Sequence, residues 1–250
     1  MNITEVARGV FAVEGTAVNW TLIAEGDALT LVDAGYPGYL DDVLASISEI
    51  GHRLDDLEAV LVTHAHIDHI GTLPRLLERH PVPVLLSRTE ARHARREYLE
   101  QAGTTDVVRN LWRPRVLPWA LHMARNGATN DRGVPTATDF GEADVIDVPG
   151  RPVQIATPGH TSGHTVYLVP EARVLLTGDA LVTGHSLSST TGPQELMGFF
   201  HHDVPAMDAS LDVIAEVDAD VIIPGHGPVH RGSPREAVAE LRSRRQGTSH

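Results

Sequence analysis

The chain has 250 residues, 42% apolar and 21% charged, which suits an ordinary globular protein long enough to bury a substantial core. A net charge of −13 argues against nucleic acid as the main partner, since phosphate binding needs a basic face. It has no cysteine, and all twenty basic residues are arginines, which excludes disulfides, thiolate ligands, a cysteine nucleophile and a lysine Schiff base. The sequence has no apolar stretch of membrane-spanning length, and Met1-Asn2-Ile3-Thr4-Glu5 does not begin a leader, so a cytoplasmic protein with no membrane partner is expected.

In chain order, residues 1–33 read as β-structure: strands at Gly9 to Val13, Asn19 to Ala24 and Ala28 to Val32, the last two joined by a turn at Gly26-Asp27. The third strand ends in Asp33-Ala34-Gly35. Leu40, Val43, Leu44, Ile47 and Ile50 have helical spacing over 38–50, and Gly51 suits the stop. Ala59 to Val62 is a buried strand, followed by a helix from Leu73 to His80 and a strand from Val82 to Ser87. Residues 89–141 read as a helical insertion within a single domain, 1–250. Its helices are expected at Thr89 to Gln101 and Val107 to Asn126, ahead of a looser end. Strands return at Val145 to Val148, Val153 to Ala156, Val166 to Val169, Arg173 to Leu176 and Ala219 to Ile223. Helices are expected at Pro205 to Glu216 and Pro234 to Arg245. Strands alternating with helices indicate an α/β fold. Leu31-Val32-Asp33-Ala34 and Thr177-Gly178-Asp179-Ala180 echo each other, hinting at two similar halves.

The chemistry concentrates behind the Ala59 strand, where His64, His66, Asp68 and His69 fall within six positions. In extended backbone His64 and His66 face the same way, while Asp68 and His69 lie where a helix should begin. Imidazole with carboxylate suits zinc or another first-row metal better than calcium or magnesium. His160, Asp179 and His226 each sit where a strand ends in a Gly- or Pro-marked turn. The seven together are about what two metals need when one carboxylate and one water are shared.

His64-x-His66-x-Asp68-His69, Pro158-Gly159-His160-Thr161, Thr177-Gly178-Asp179 and Pro224-Gly225-His226-Gly227, preceded by Asp33-Ala34-Gly35, resemble the metallo-β-lactamase-fold hydrolase superfamily in its own order. The resemblance implies a four-layer αββα sandwich of two similar halves with metals at one edge. It also implies a division of ligands: His64, His66 and His160 for one metal, Asp68, His69 and His226 for the second, with Asp179 bridging. Asp33 would orient a ligand or the loops, and His164 would serve in structural hydrogen bonding. Two zinc ions are expected, with iron or manganese as the alternatives.

The expected reaction is hydroxide attack on an ester, thioester or lactone carbonyl of a small molecule, with Asp68 passing a proton to the leaving group. Many β-lactamases of this fold carry cysteine or serine where this chain has Asp179, which disfavours a β-lactam hydrolase. Keeping Asp179 is similar to glyoxalase-II-type thioesterases and lactonases. Yet no basic cluster for a glutathione conjugate is present, and Ala180-Leu181-Val182-Thr183 replaces the lactonase-type tyrosine. A persulfide dioxygenase with one iron at His64, His160 and Asp179, and a non-catalytic binding protein, are the rival classes. The pocket is expected between the insertion and loop 184–203, lined by Trp112, Trp119, Phe199, Phe200, His201 and His202. A homodimer through the tryptophan-bearing insertion is a further expectation.

Overall fold

Strand alternation sorts the apolar residues of this chain onto two faces of each sheet, and that sorting sets the layers. The computed structural model describes residues 1–247; positions 248–250 of the expected domain lie outside them. Strands β1 (Asn2–Ala7), β2 (Val10–Glu14), β3 (Asn19–Glu25) and β4 (Ala28–Val32) form an antiparallel meander. Helix α1 (Leu40–Glu49) carries the chain to β5 (Leu57–Leu61), parallel to β4. Helices α2 (Ile67–Ile70) and α3 (Leu73–Arg79) precede β6 (Val84–Leu86), again parallel. Helices α4 (Arg88–Ala94), α5 (Thr104–Asn110) and α6 (Val116–Arg125) lie before β7 (Thr138–Asp139), which closes the first sheet on β6.

The second half repeats the plan. Strands β8 (Val153–Ala156), β9 (Thr165–Val169) and β10 (Val174–Gly178) form a meander, and α7 (Val204–Ala215) crosses over to a parallel β11 (Val221–Pro224). A short antiparallel β12 (His230–Arg231) and α8 (Pro234–Gly247) finish it. Asp33 and Asp179 therefore occupy equivalent places, each just past the last strand of a meander. Leu29 and Leu31 pack with α1 and α3, whereas Val32 faces the other sheet; Val174 and Leu176 face the first sheet, whereas Leu175 packs with α7 and α8. Helices outside and two sheets inside make the αββα sandwich.

The differences from the sequence reading have local causes. The strand Asn2–Ala7 is an edge strand whose single buried residue is Val6, so it lacks an apolar alternation. Strands β7 and β12, two residues each, are too short to show one. The expected strand at Val145 to Val148 reduces to one bridge, Val145 to Val153, in a segment bounded by Pro149. The helix expected to reach Gln101 stops at Ala94, and Arg96 takes a left-handed φ of 60°. The helix expected from Val107 to Asn126 is two helices, because Pro114 interrupts it and Arg115 is left-handed. No helix among the described residues is long and apolar enough to cross a membrane.

Candidate metal centre

The ends of β5, β10 and β11 and the β8–β9 loop come together at one edge of the sandwich. Past β5 the chain stays extended to His66, the N-cap of α2, so His64 and His66 project together and α2 presents Asp68 and His69. The His226 loop is tied to the first sheet by Asn19, whose amide donates to the carbonyls of Pro224 (3.0 Å) and Gly227 (2.7 Å). Gly225 has no alternative: a Cβ there would lie 2.3 Å from Asp179 Oδ1 and 2.9 Å from His69 Cε1.

Two groups result, His64, His66, His160 and Asp179, and Asp68, His69 and His226, with ligand atoms in each within 4.8 Å of one another. Asp179 Oδ2 lies 3.8 Å from His64 Nε2, 3.4 Å from His160 Nε2 and 3.2 Å from His226 Nε2, while Oδ1 is 3.4 Å from His69 Nε2. His160 Nε2 is 3.0 Å from His66 Nδ1, and His226 Nε2 is 3.5 Å from Asp68 Oδ2. Tetrahedral zinc with bonds of about 2.0–2.1 Å places its donors roughly 3.4 Å apart. The separations cluster around that spacing. Moreover, His64 Nε2, His69 Nε2 and Asp179 Oδ1 are buried with no hydrogen-bond partner, a costly arrangement that a cation would relieve. The donor set fits a first-row divalent metal.

The far side of each imidazole is held, which fixes the nitrogen turned inward. His66 donates from Nε2 to the Glu100 carbonyl at 2.6 Å, and His226 donates from Nδ1 to the Ala17 carbonyl at 2.6 Å. Asp33 Oδ2 accepts from His69 Nδ1 and from the Thr63 hydroxyl, both at 2.8 Å, and Oδ1 accepts the Thr63 backbone N–H at 2.8 Å. With its hydrogen on Asp33, Thr63 Oγ1 accepts from His64 Nδ1 at 3.1 Å. His160 Nδ1 meets His201 Nδ1 at 3.2 Å. Asp33 does this from a left-handed φ of 59°, a conformation aspartate tolerates better than most residues. His164 lies in neither group: its Nε2 accepts the Asp179 backbone N–H at 3.2 Å and its Nδ1 reaches the Thr157 hydroxyl at 2.9 Å.

Burial pushes His64 and His160 well below the ordinary histidine range, their histidine neighbours adding to it, and burial lowers His66. All three present unprotonated nitrogens. Burial also opposes charge on His69 and His226, but Asp33 and Asp179 outweigh it at His69 and Asp179 and Asp68 at His226, raising both. Asp179 is held well below the carboxylate range because His226 and His69 overcome its burial. His164 is pushed down to about 4 by burial. In the metal-free protein the unfolded chain therefore takes up that proton near pH 6.5 and the folded one only near its lowered value. Stability should fall on acidification across that window, by about 1.4 kcal/mol per pH unit for this group. Urea midpoints measured from pH 7 to 4 should show a slope that His164→Gln reduces by one proton; an unchanged slope would refute the role.

A second network was not anticipated. Glu90, fully buried on α4, accepts the Ala65 N–H (2.7 Å), the Gly163 N–H (3.2 Å) and His93 Nδ1 (3.0 Å), and its contacts with His93, Thr161 and Ala65 keep it ionised despite burial. His93 Nε2 in turn accepts the Glu100 N–H at 3.1 Å, and the Glu100 carboxylate binds Ser162 through N–H and hydroxyl at 2.7 Å each. Glu90 and Glu100 thus join the segment bearing His64 and His66 to the loop bearing His160. The available signal was Ser87-x-x-Glu90, which reads as a capping box. Ser87 does cap the helix, accepting the Glu90 N–H at 3.2 Å, but the carboxylate is used elsewhere.

A cavity of about 510 Å³ opens on the site, its wall including Asp68, Asp179, Tyr36, His185, Trp119 and Phe200. Four of the six expected lining residues are corrected. Trp112 is 76% exposed and faces outward under Arg113 (5.1 Å), since the break at Pro114 turns it away. Phe199 packs behind Phe200 with the rings tilted, centroids 4.2 Å apart; His201 lies behind His160; His202 is half-exposed, 3.7 Å from Glu100. Tyr36 and His185 were missed, neither having a motif around it.

The metallo-β-lactamase superfamily model matches residues 13–226. The probable metallo-hydrolase YflN of Bacillus subtilis is 26% identical over 250 residues, covering 96% of this chain and 92% of its own. The metallo-beta-lactamase domain-containing protein 1 of Xenopus laevis is 30% identical over 227 residues, covering 91% of this chain and 76% of its own. Among solved structures, the metallo-beta-lactamase family protein TTHA1429 of Thermus thermophilus superposes with a TM-score of 0.67 at 23% identity, covering 97% of this chain and 81% of its own, a likeness of fold. With the matched region running from β2 to the last histidine of the site, this chain belongs to the metallo-β-lactamase superfamily.

Proposed function

We propose that the protein is a dinuclear metal-dependent hydrolase, with zinc as the first expectation, that cleaves an ester, thioester or lactone bond of a small molecule. The observation that carries this reading is the convergence of five histidines and Asp68 around Asp179, with unpartnered donor atoms at zinc-like separations. The name of YflN, a probable metallo-hydrolase, supports the class. His64, His66 and His160 would hold one ion, Asp68, His69 and His226 the other, and Asp179 both. When bound, such ions supply Lewis-acid polarisation of a carbonyl and water of lowered pKa.

The chain's own groups do the rest. Asp68 Oδ2, in the cavity wall, is near His226 Nε2 (3.5 Å) and the Tyr36 hydroxyl (3.4 Å), and it can take a proton and deliver it to a leaving group. Burial, and then Asp68, keep the Tyr36 hydroxyl protonated, so it remains a donor. His185 Nδ1 accepts the Leu187 N–H at 3.2 Å, which leaves an Nε2–H to offer a substrate oxygen as charge develops there. Trp119 and Phe200 meet edge to face at 5.6 Å and shield the site from water on that side.

Metal analysis of anaerobically purified protein should find two zinc ions per chain, with turnover of activated esters or thioesters. One iron per chain with oxygen uptake on a persulfide would overturn the reading. Chelation should also lower the melting temperature by about 10 °C, because saturating metal adds about 4 kcal/mol at a thousand times Kd. Differential scanning calorimetry with and without chelator checks this.

A further inference from the structure

We infer that the cavity takes uncharged acyl compounds, in which an apolar chain extends from the scissile carbonyl and carries no anionic group; this rests on the hydrolase reading above. At its inner end stand the residues of the candidate metal centre. Further out, Ile67, Leu99, Val107, Trp119, Met123 and Phe200 form an apolar belt. The belt comes from α2, the turn after α4, helices α5 and α6 and the loop before α7.

Charge decides what the belt can hold. Among the described residues no arginine lines the cavity, and the chain has no lysine. Asp131 is the charged residue of the wall outside the candidate centre, and Arg96 already binds its Oδ1 at 2.9 and 2.6 Å. A further Arg96 nitrogen is taken by the carbonyls of Ala65 and His93. A carboxylate or phosphate seated along the belt would lose water and gain no cation, whereas each methylene gains by leaving water. The volume of about 510 Å³ lies within the roughly 300–1,000 Å³ of small-molecule sites, room for an ester or lactone head with an alkyl chain. The flexible thioether of Met123 lets the belt accommodate chains of differing length.

The test uses the metal-loaded enzyme and p-nitrophenyl esters from acetate to decanoate. Relative kcat/KM should rise about three- to fourfold per added methylene until the belt is filled. A monoester of the matching dicarboxylic acid should be at least about a hundredfold poorer than the simple ester. Binding is read separately by thermal shift, with a methyl ketone bearing an octyl chain and the same ketone ending in a carboxylate. The first should raise the melting temperature and the second should not. Leu99→Arg, at a 57% exposed position of the belt, should narrow or reverse the discrimination against the carboxylate-ended ligand. A flat chain-length series, or a wild-type preference for the carboxylate-ended ligands, would overturn the ligand class while leaving the hydrolase reading standing. Ketone discrimination without turnover of any ester, thioester or lactone of the same chain lengths would uphold the ligand class and overturn the hydrolase reading.

Discussion

Asp179→Ala should strip metal from the site and lower kcat/KM by well over about a hundredfold, the upper end for residues that only orient a ligand. Four histidine nitrogens, two from each ligand group, lie 3.2–3.8 Å from its carboxylate. Its removal takes away the negative charge that, with Asp68 and Asp33, balances His69 and His226. Asp179→Asn keeps the volume without the charge, so it should fail almost as badly. Asp33→Ala supplies the contrast, because Asp33 touches His69 and Thr63 from behind, and a loss of about ten- to a hundredfold is expected there. Metal content per chain, measured alongside turnover of an activated thioester, separates the two. An Asp179→Ala protein with two metals per chain and wild-type rates would refute the central role of this carboxylate.

The second large effect is on stability. Glu90→Ala should destabilise the fold by about 3–5 kcal/mol, because it leaves His93 of a buried pair, the buried Ala65 N–H and the part-buried Gly163 N–H without a partner. For a chain of this length that corresponds to a drop of about 10 °C or more in melting temperature. Glu90→Gln retains an acceptor and should fall between the two proteins. Metal affinity should drop as well, since Ala65 separates two candidate ligands and Gly163 belongs to the loop that carries His160. Urea titration of the metal-free variants isolates the stability effect from the metal. A shift in melting temperature below about 3 °C would show that this carboxylate does not brace the site.

The two networks differ in how they could be read. His64, His66, Asp68 and His69 stand at spacings that extended backbone and a helix start turn toward one place, and His160, Asp179 and His226 follow recognisable turns. Nothing comparable surrounds Glu90, His93 or Glu100, whose side-chain hydrogen-bond partners lie 25 to 73 positions away except for the contacts among themselves. Similarly, Trp112 and Trp119 are alike in sequence context, yet one is exposed and the other lines the cavity. That outcome follows from the break at Pro114 and the left-handed Arg115, a change of direction that apolar periodicity does not encode.

The linear chain by itself determined the residue types of the candidate centre, the alternation that sorts side chains between layers, and the echo between the Asp33 and Asp179 strand ends, because each depends on neighbours within a few positions. Only the tertiary structure decided which nitrogen of each histidine faces inward, that Glu90 and Glu100 join two ligand-bearing segments, and that the cavity has an apolar belt free of arginine. These depend on burial and on contacts between distant segments. There, desolvation and the demand that every buried polar group find a partner outweigh local preference.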